Sequence, residues 1–377
     1  MAILSPQENQ RYRRHFSLPQ IGPAGQQQLK TQSILLIGAG GIGCPAALYL
    51  AACGIGRLGI VDDDQIELSN LQRQILYQTA ECGQNKTNVA AKRLLGLNPH
   101  VKIDEYPVRL TVDNAQQIIA PYDLVIDGSD NFATRYLVND ICALLKKPML
   151  SASIFQFSGQ LGLFNFKDGP CYRCLYPNPP LQGQMANCSQ AGVLGVIPGI
   201  LATLAVNEAI KLLLSLGDNL AGKLAVFNAL DTTLHHYHLS PAEDCLLCAK
   251  NMTFAELPRY PVDSCNTVDN TVITEITVSA LQQALAAQHS LKLLDVREAW
   301  ERQICALDDH LHVPLNEIAH ASLPFQTSDN IVVYCHAGVR SLAAAEQLQL
   351  RGFRHVTSLQ GGIRAWIEQV DPSMSDY

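Results

Sequence analysis

The chain has 377 residues, enough for two domains with separate cores. Its net charge of -7 and the lack of any dense basic run argue against a nucleic-acid partner, and its twelve cysteines do not fit a small secreted disulfide scaffold. Residues 1–6 turn polar at once and lack the apolar core of a signal peptide, so we expect a cytoplasmic protein with reduced thiols.

The first predicted elements are a strand, a glycine-rich turn, a helix and a second strand. Residues 34–37 are apolar, residues 44–53 have helical periodicity, and a second apolar run, 57–61, ends at Asp62. Glycines in such a turn let backbone N–H groups approach phosphate, and an acid after the second strand can hold ribose hydroxyls. The glycines of the turn are Gly38, Gly40, Gly41 and Gly43. Alone, this pattern favours a nicotinamide-dependent dehydrogenase.

Further strands and helices alternate along the same domain. Residues 87–95 form a predicted helix with Lys86 just before it, and residues 123–127 form a strand that leads to Asp130. This alternation predicts a Rossmann-like α/β fold with a largely parallel, doubly wound sheet. Ligands of such sheets bind at the carboxyl ends of the strands, where the glycine turn, Asp62 and Asp130 fall.

Two cations and an acid make phosphoryl chemistry possible at this position. Arg73, in the stretch 70–74, and Lys86 follow the ribose-binding acid, and Asp130 is suited to Mg²⁺. The alternative is that both cations are solvated surface charges.

Residues 191–216 are apolar enough to raise the question of a membrane span. They include Pro198, Glu208 and Lys211, and the uninterrupted apolar stretch is shorter than the ~20 residues a bilayer needs. We therefore expect a buried helix and no membrane partner.

Two Cys-x-x-Cys pairs suggest a tetrahedral metal site. Their alternatives are two redox dithiols or unrelated core cysteines. The four residues are Cys171, Cys174, Cys245 and Cys248.

The other cysteines of the first domain divide into two kinds. Cys188 lies in a polar stretch, 187–192, where an accessible thiol could act as a nucleophile, although it could also be passive. Four more are expected to be packing residues on or beside apolar helical segments. They are Cys44, Cys53, Cys82 and Cys142.

Residues 251–274 are polar and aperiodic and are predicted to be a linker. A new α/β pattern follows, with strands at 291–294 and 331–334. The second strand opens into the loop 335–340, before a helix predicted to begin at Ser341. Loop N–H groups, the helix N-terminus and Arg340 would stabilise a thiolate or persulfide at Cys335, whose alternative role is that of a buried core cysteine.

Residues 11–15, 38–43, 70–74, 83–86 and 129–131 resemble the motifs of the MoeB/ThiF family of adenylyltransferases, over about residues 8–250. These enzymes are related to ubiquitin-activating enzymes. The resemblance implies that ATP adenylylates the C-terminal glycine of a ubiquitin-like sulfur carrier protein of the MoaD/ThiS type. Asn85 departs from the family, which commonly has proline there, and we expect the change to matter little.

The same resemblance implies roles for individual residues. Asp62 would hold the ribose, Arg73 and Lys86 the phosphates, and Asp130 the Mg²⁺. Arg14 would reach into the neighbouring subunit's site of a homodimer. The family's loop cysteine corresponds to Cys188, and its Cys₄ site agrees with zinc. The nucleotide site would also include Asn70 and Asn131.

Residues 335–341 resemble the active-site loop of rhodanese sulfurtransferase domains, as do residues 295–298, 313–315 and 361–366 around it. The resemblance covers about 275–372 and implies that Cys335 carries sulfur as a persulfide. Residues 304–310 depart from the usual pattern, which puts the local loop shape in doubt.

Together these observations predict an adenylyltransferase domain (1–250), a linker (251–274) and a smaller α/β rhodanese-like domain (275–377). The carrier's acyl-adenylate would become a thiocarboxylate for molybdopterin, thiamine or related biosynthesis, with a persulfide donor such as a cysteine desulfurase. One alternative is a modifier-activating enzyme that uses a Cys188 thioester, with a regulatory rhodanese domain. The other is an NAD-dependent oxidoreductase.

Overall fold

The computed structural model describes residues 3–179, 192–249, 252–258, 273–287 and 291–377. The chain divides into two units, Met1–Ser264 and Cys265–Tyr377, each with its own sheet. Most of the predicted linker, 251–274, lies outside the described residues, so its boundaries stay a prediction.

The first unit is built on an eight-stranded sheet with the order β3-β2-β1-β4-β5-β6-β7-β8. Its strands are β1 (Ser33–Ile37), β2 (Arg57–Val61), β3 (Lys102–Tyr106), β4 (Leu124–Asp127), β5 (Met149–Phe155), β6 (Ser158–Phe164), β7 (Lys223–Asn228) and β8 (Thr233–His238). Its described helices are α1 (Pro6–Arg11), α2 (Arg13–Phe16), α3 (Gly22–Leu29), α4 (Gly43–Cys53), α5 (Lys86–Leu97), α6 (Val112–Ile119), α7 (Phe132–Leu144), α8 (Tyr172–Leu175) and α9 (Val196–Leu214).

Five of these strands form the predicted parallel sheet. β3, β2, β1, β4 and β5 pair in parallel, and the two faces of β1 enter different cores: Ile34 and Leu36 one, Leu35 and Ile37 the other. Helices therefore cover both faces, which confirms the Rossmann-like doubly wound fold. The remaining strands extend the sheet in antiparallel fashion, because only Gln156 and Phe157 separate β5 from β6 and so short a connection cannot cross over.

Helix α9 is the apolar segment that raised the question of a membrane span. By length and composition alone it could cross a bilayer, with a mean hydropathy of 1.6 over its most apolar window. In the fold it packs against α4, β5 and β6, and Ile197, Leu201 and Ala205 are fully buried in the core of the first unit. It is thus a core helix, as predicted.

The second unit has a five-stranded parallel sheet with the order β11-β10-β12-β13-β9. Its strands are β9 (Thr274–Ile276), β10 (Leu291–Asp295), β11 (His310–His312), β12 (Asn330–Tyr334) and β13 (His355–Leu359). Its described helices are α10 (Val278–Ala286), α11 (Ala299–Ile304), α12 (Val339–Leu350) and α13 (Gly362–Gln369). Val333 and Val332 on β12 enter cores on opposite faces, so both faces of this sheet are also covered.

Two expectations about local structure were wrong. Cys82 is exposed, because it follows a short 3₁₀ turn, Thr79–Glu81, whereas Cys44, Cys53 and Cys142 are buried as expected. The helix after Cys335 begins at Val339 and not at Ser341, because Gly338, with φ +93°, turns the chain directly into it.

Candidate functional site

The glycine turn joins β1 to α4 and requires glycine at its two ends. Gly38 has φ +89°, and a Cβ there would lie 3.2 Å from the carbonyl oxygen of Gly128 at the end of β4. A Cβ on Gly43 would lie 2.0 Å from the carbonyl oxygen of Gly38. The turn, which also contains Gly40 and Gly41, therefore folds tightly over the N-terminus of α4 and leaves a backbone surface that phosphate can approach.

Asp62, at the end of β2, is bound to this turn. Its Oδ2 accepts a hydrogen bond from the backbone N–H of Ala39 at 2.7 Å, and its Oδ1 accepts one from Asp64 N–H at 2.9 Å. Burial raises the pKa of Asp62, against the opposing effect of Lys86, whose Nζ lies 3.8 Å from Oδ1. The structure thus joins the predicted ribose acid, the glycine turn and one predicted phosphate cation.

Lys86 is not the solvated surface charge that the alternative interpretation required. Its side chain is 5% exposed, and its Nζ lies 2.6 Å from Asp64 Oδ2. Lys86 is the first residue of α5, whose N-cap is Asn85: the Asn85 Oδ1 accepts hydrogen bonds from Thr87 N–H at 3.1 Å and Asn88 N–H at 3.3 Å. The departure at Asn85 therefore has a structural role, that of a helix cap.

Asn70 ends the 3₁₀ turn Leu68–Asn70, and Arg73 follows this turn and lies beside the glycine turn. Arg73 is partly exposed and donates to the carbonyl oxygen of Ser69 at 3.2 Å, and a Cβ on Gly41 would lie 3.3 Å from Arg73 Cγ. Asn70 Nδ2 donates to Ser69 Oγ at 3.4 Å. The Arg73 stem is therefore against the turn.

The end of β4 contributes acids of two kinds. Asp127 is fully buried and bonded to Ser129 Oγ at 2.6 Å and Arg135 Nε at 3.3 Å. Asp130 is exposed, and among the described residues its side chain has no hydrogen bond or ion pair. Asn131 caps α7 by accepting from Thr134 N–H at 2.8 Å. The Asp130 carboxylate is thus available to a ligand, whereas the side-chain Oδ1 of Asn131 is occupied by its hydrogen bond to the first turn of α7.

A second group of acids lies close to Asp62. One carboxylate oxygen from each of Asp62, Asp63 and Asp64 lies within 4.8 Å of the others, and Asp130 is not a member of this group. The predicted Mg²⁺ ligand, Asp130, is therefore separate from this cluster of three acids.

The four knuckle cysteines converge as the spacing predicted. Their Sγ atoms all lie within 4.8 Å of one another. The Sγ separations are 3.7 Å for Cys171–Cys174, 3.5 Å for Cys171–Cys245 and 3.4 Å for Cys174–Cys248. Sulfurs bound to one tetrahedral zinc ion at ~2.3 Å lie about 3.8 Å apart, so this donor set fits Zn²⁺ and its four members leave no open position.

Cys335 directly follows β12 in the second unit and is 1% exposed. Its Sγ accepts a hydrogen bond from Gly338 N–H at 3.2 Å and lies 3.5 Å from Ser341 Oγ. The loop N–H group and the N-terminus of α12 therefore face the sulfur, an arrangement that stabilises a thiolate or persulfide anion.

A model of the ThiF family matches residues 12–248. The chain belongs to the ThiF family. A model of the rhodanese-like domain matches residues 277–369, which places Cys335 and its loop in a second known domain.

The chain has relatives that align with nearly all of it and others that align with about two thirds of it. It is 38% identical to "Adenylyltransferase and sulfurtransferase MOCS3" of Aedes aegypti over 394 aligned residues, with 99% of this chain and 90% of that protein covered. It is 47% identical to "Sulfur carrier protein adenylyltransferase" of Thermus thermophilus over 259 aligned residues, with 67% and 96% covered. A crystal structure of E. coli MccB shares the fold, with a TM-score of 0.57, 22% identity, and 65% and 75% covered.

Two of the predicted site residues are not joined to the ThiF-family site by the structure. Arg14, on the short helix α2, is exposed and makes no described side-chain contact. Cys188 lies outside the described residues. Their roles stay predictions.

Arg340 has a partner that its sequence pattern did not predict. Both terminal nitrogens of Arg340 bind the carboxylate of Glu301, each at 2.6 Å. Burial favours the neutral acid, but hydrogen bonds from Arg340, Glu298 N–H and Tyr377 outweigh it and lower the pKa of Glu301 to about 2. Glu301 stands three residues after Glu298 in a capping box, a local signal that predicts the start of a helix but not the ion pair.

Proposed function

We propose that this ThiF-family chain adenylylates the C-terminal glycine of a ubiquitin-like sulfur carrier protein and converts the acyl-adenylate to a thiocarboxylate. One observation carries the proposal: a glycine turn locked to Asp62 and a cysteine loop built to hold a sulfur anion occur in one chain. The relative aligned over 99% of the chain has both activities in its name.

In the first step the carrier's carboxylate oxygen attacks the α-phosphorus of ATP, and pyrophosphate leaves. The glycine turn and the N-terminus of α4 would receive phosphate, and Asp62 the ribose. Lys86 would give up its ion pair with Asp64 and bind a phosphate oxygen instead. Arg73, beside the glycine turn, would neutralise the negative charge of the phosphates.

A divalent cation would assist this step. Asp130 is the exposed carboxylate at the end of β4 that we propose as a Mg²⁺ ligand, and its lack of another described partner supports the proposal. Mg²⁺, when bound, neutralises phosphate charge. We also propose that Arg14 acts in the neighbouring subunit's site of a homodimer.

In the second step the outer sulfur of a Cys335 persulfide attacks the carrier's acyl carbon, and AMP leaves with the bonding electron pair. The product is an acyl disulfide between carrier and enzyme. A thiolate, from Cys188 or an external thiol, then attacks the Cys335 sulfur, which releases the carrier thiocarboxylate and leaves a disulfide. A dithiol reductant restores Cys335, and a persulfide donor such as a cysteine desulfurase reloads it.

We assign zinc a structural role at the Cys₄ cluster, because four thiolate ligands close the coordination sphere. We also propose a cytoplasmic location. The ten cysteines in the described part of the chain form no disulfide, as expected in a reducing compartment.

Mass spectrometry of candidate carriers tests the proposal. The full chain is incubated with ATP, Mg²⁺, a persulfide source and each purified ubiquitin-like carrier. We expect one carrier to support ATP–pyrophosphate exchange and to gain the mass of one oxygen-to-sulfur exchange. NAD binding without any carrier-dependent exchange would overturn the proposal in favour of an oxidoreductase.

The modifier-activating alternative differs at Cys335. If the rhodanese domain transfers sulfur, Cys335→Ala abolishes thiocarboxylate while exchange continues. If that domain is only regulatory, the Cys335→Ala variant still forms the carrier thioester on Cys188, and neither the variant nor the wild type forms thiocarboxylate.

A further inference from the structure

Asp376 and Tyr377 lie against the loop that carries Cys335. The Tyr377 ring is 4.5 Å from the ring of His336, between centroids, and meets Trp300 edge-on at 5.4 Å. Asp376 Oδ1 lies 2.9 Å from His336 Nε2. The end of the described chain thus contacts the first residue after Cys335.

Tyr377 is also connected to Arg340, at the other end of the loop, because both residues hydrogen-bond to Glu301. Its hydroxyl donates to Glu301 Oε1 at 2.7 Å and accepts from Arg297 Nη1 at 2.9 Å. Arg297 is fully buried and is held by Asp295, with Nη2 and Oδ2 2.7 Å apart. The position of the hydroxyl is therefore set by a buried ion pair.

The carboxylate of Glu301 accepts hydrogen bonds from three donor groups: the Tyr377 hydroxyl, the Arg340 guanidinium and the Glu298 backbone N–H. Oε1 accepts from both Tyr377 and Arg340, whereas Oε2 accepts from Arg340 and the backbone N–H of Glu298. The Tyr377 hydroxyl donates to the Glu301 carboxylate and so offsets part of its negative charge. The Glu301 carboxylate therefore neutralises the positive charge of Arg340 less completely. Hydrogen-bond chains of this kind polarise one another in a buried environment.

We propose that Tyr377 is a positioning residue for the cysteine loop, which through Glu301 fixes Arg340 and keeps part of its positive charge directed at Cys335. The proposal rests on the sulfur-transfer role of Cys335, since a persulfide and the anions that load it need that charge. Without the hydroxyl, Glu301 pairs with Arg340 more fully, and the positive potential at the sulfur falls.

The test compares two alkylating reagents that differ in charge, iodoacetate and iodoacetamide, on the full chain. The rate at Cys335 is measured with each by mass spectrometry of its peptide, with the exposed Cys82 as an internal reference. Tyr377→Phe keeps the ring contacts and removes only the hydroxyl. We expect it to lower the iodoacetate-to-iodoacetamide rate ratio at Cys335 between about twofold and tenfold, as for one hydrogen bond, without changing the ratio at Cys82.

Two further variants define the range. Arg340→Gln removes the charge itself and should give the lowest ratio, whereas Asp308→Asn, an exposed change in the same domain, should match the wild type. A merely structural role would alter the rates with both reagents equally. An unchanged ratio in Tyr377→Phe, or an equal change with both reagents, overturns the inference.

Persulfide formation from thiosulfate separates this inference from the proposed function. The Cys335 thiolate attacks the outer sulfur, the sulfur–sulfur bond of thiosulfate breaks, and sulfite leaves with the electron pair. We expect Tyr377→Phe to slow this reaction by at least the factor seen in the rate ratio, because thiosulfate carries two negative charges and iodoacetate one. If the wild type forms no persulfide, the proposed sulfur transfer fails, and the alkylation ratio alone decides the role of Tyr377.

Discussion

Arg173 lies between the paired cysteines Cys171 and Cys174 and forms a two-point ion pair with Asp140 on α7. Its Nε and Nη2 each lie 2.8 Å from one oxygen of the Asp140 carboxylate, and both side chains are buried. Helix α7 begins directly after Asp130 and Asn131. The pair therefore fixes the Cys171–Cys174 knuckle to the helix that carries one edge of the nucleotide site.

Breaking this pair should destabilise the first unit. Asp140→Asn removes the carboxylate charge that makes the two-point pair with the buried Arg173 guanidinium, and we expect a loss of about 3–5 kcal/mol in the free energy of unfolding. Denaturant unfolding followed by circular dichroism measures it. Arg109→Gln, a change at an exposed arginine, serves as the control and should cost less than ~0.5 kcal/mol. Equal unfolding midpoints for both variants would contradict the assignment.

Loss of a zinc ligand should affect metal content and folding of the first unit. Cys245→Ser removes a buried sulfur from the Cys₄ cluster, so we expect bound zinc, measured by plasma mass spectrometry, to fall well below one ion per chain. Cys82→Ser changes an exposed thiol outside the cluster and should retain the metal. Full zinc occupancy in the Cys245 variant would show that the four thiols do not form the site.

Replacing the two aspartates at the end of β4 should have different effects: Asp130→Asn should lower activity, whereas Asp127→Asn should lower stability. Asp130→Asn should reduce carrier-dependent ATP–pyrophosphate exchange by about 100-fold or more, because charge stabilisation is lost in the transition state, with no change in melting temperature. Asp127→Asn removes a buried charge that pairs with Arg135, and should lower stability first. Asp168→Asn, at an exposed site, is the control. Normal exchange in Asp130→Asn would refute its role.

The free energy of unfolding of the second unit should fall at low pH, because Glu301 becomes protonated there. The folded-state pKa of about 2 lies below the ordinary value of 4.5, so the ionised carboxylate stabilises the fold above pH 4.5. That contribution is lost as the pH falls from about 4.5 towards 2. Glu301→Gln should flatten this part of the curve of unfolding free energy against pH. Glu346→Gln, an exposed change on α12, should leave the slope as it is.

Removing the cap of α5 should cost about 1 kcal/mol. Asn85→Ala deletes the oxygen that accepts hydrogen bonds from two N–H groups of the first turn of α5. This turn begins with Lys86, a residue of the proposed nucleotide site. Thermal unfolding measures the effect, with Asn88→Ala on the exposed side of the same helix as the control. A cost no larger than that of the control would mean that the cap contributes nothing.

The parts of the site that lie within one motif could be predicted from the sequence. The glycine turn with Asp62, the four knuckle cysteines and the Cys335 loop each combine a local backbone requirement with a recognisable residue type. The parallel half of the first sheet follows in the same way from alternating strands and helices, confirmed by β1 to β5.

Interactions between distant segments could not be predicted. The Glu301–Arg340 pair and the Tyr377 hydroxyl join positions far apart in the sequence, and neither charge pattern nor periodicity specifies which acid meets which base. Arg173 and Asp140 are ordinary surface residue types whose burial depends on how α7 packs against the knuckle. The exposure of Cys82 was likewise set by a turn that composition does not reveal.

We expect the Cys₄ cluster, once it holds a metal, to protect the open edge of the first sheet as well. β8 is mostly exposed, follows a chain reversal from β7, and ends at His238, shortly before Cys245. Exposed edge strands fray and can pair with other molecules. A metal that fastens Cys245 to Cys171, which follows β6, closes the chain into a ring around β7 and β8 and lowers the entropy gained when they detach. Metal loss should therefore promote aggregation through this edge before it affects the parallel strands.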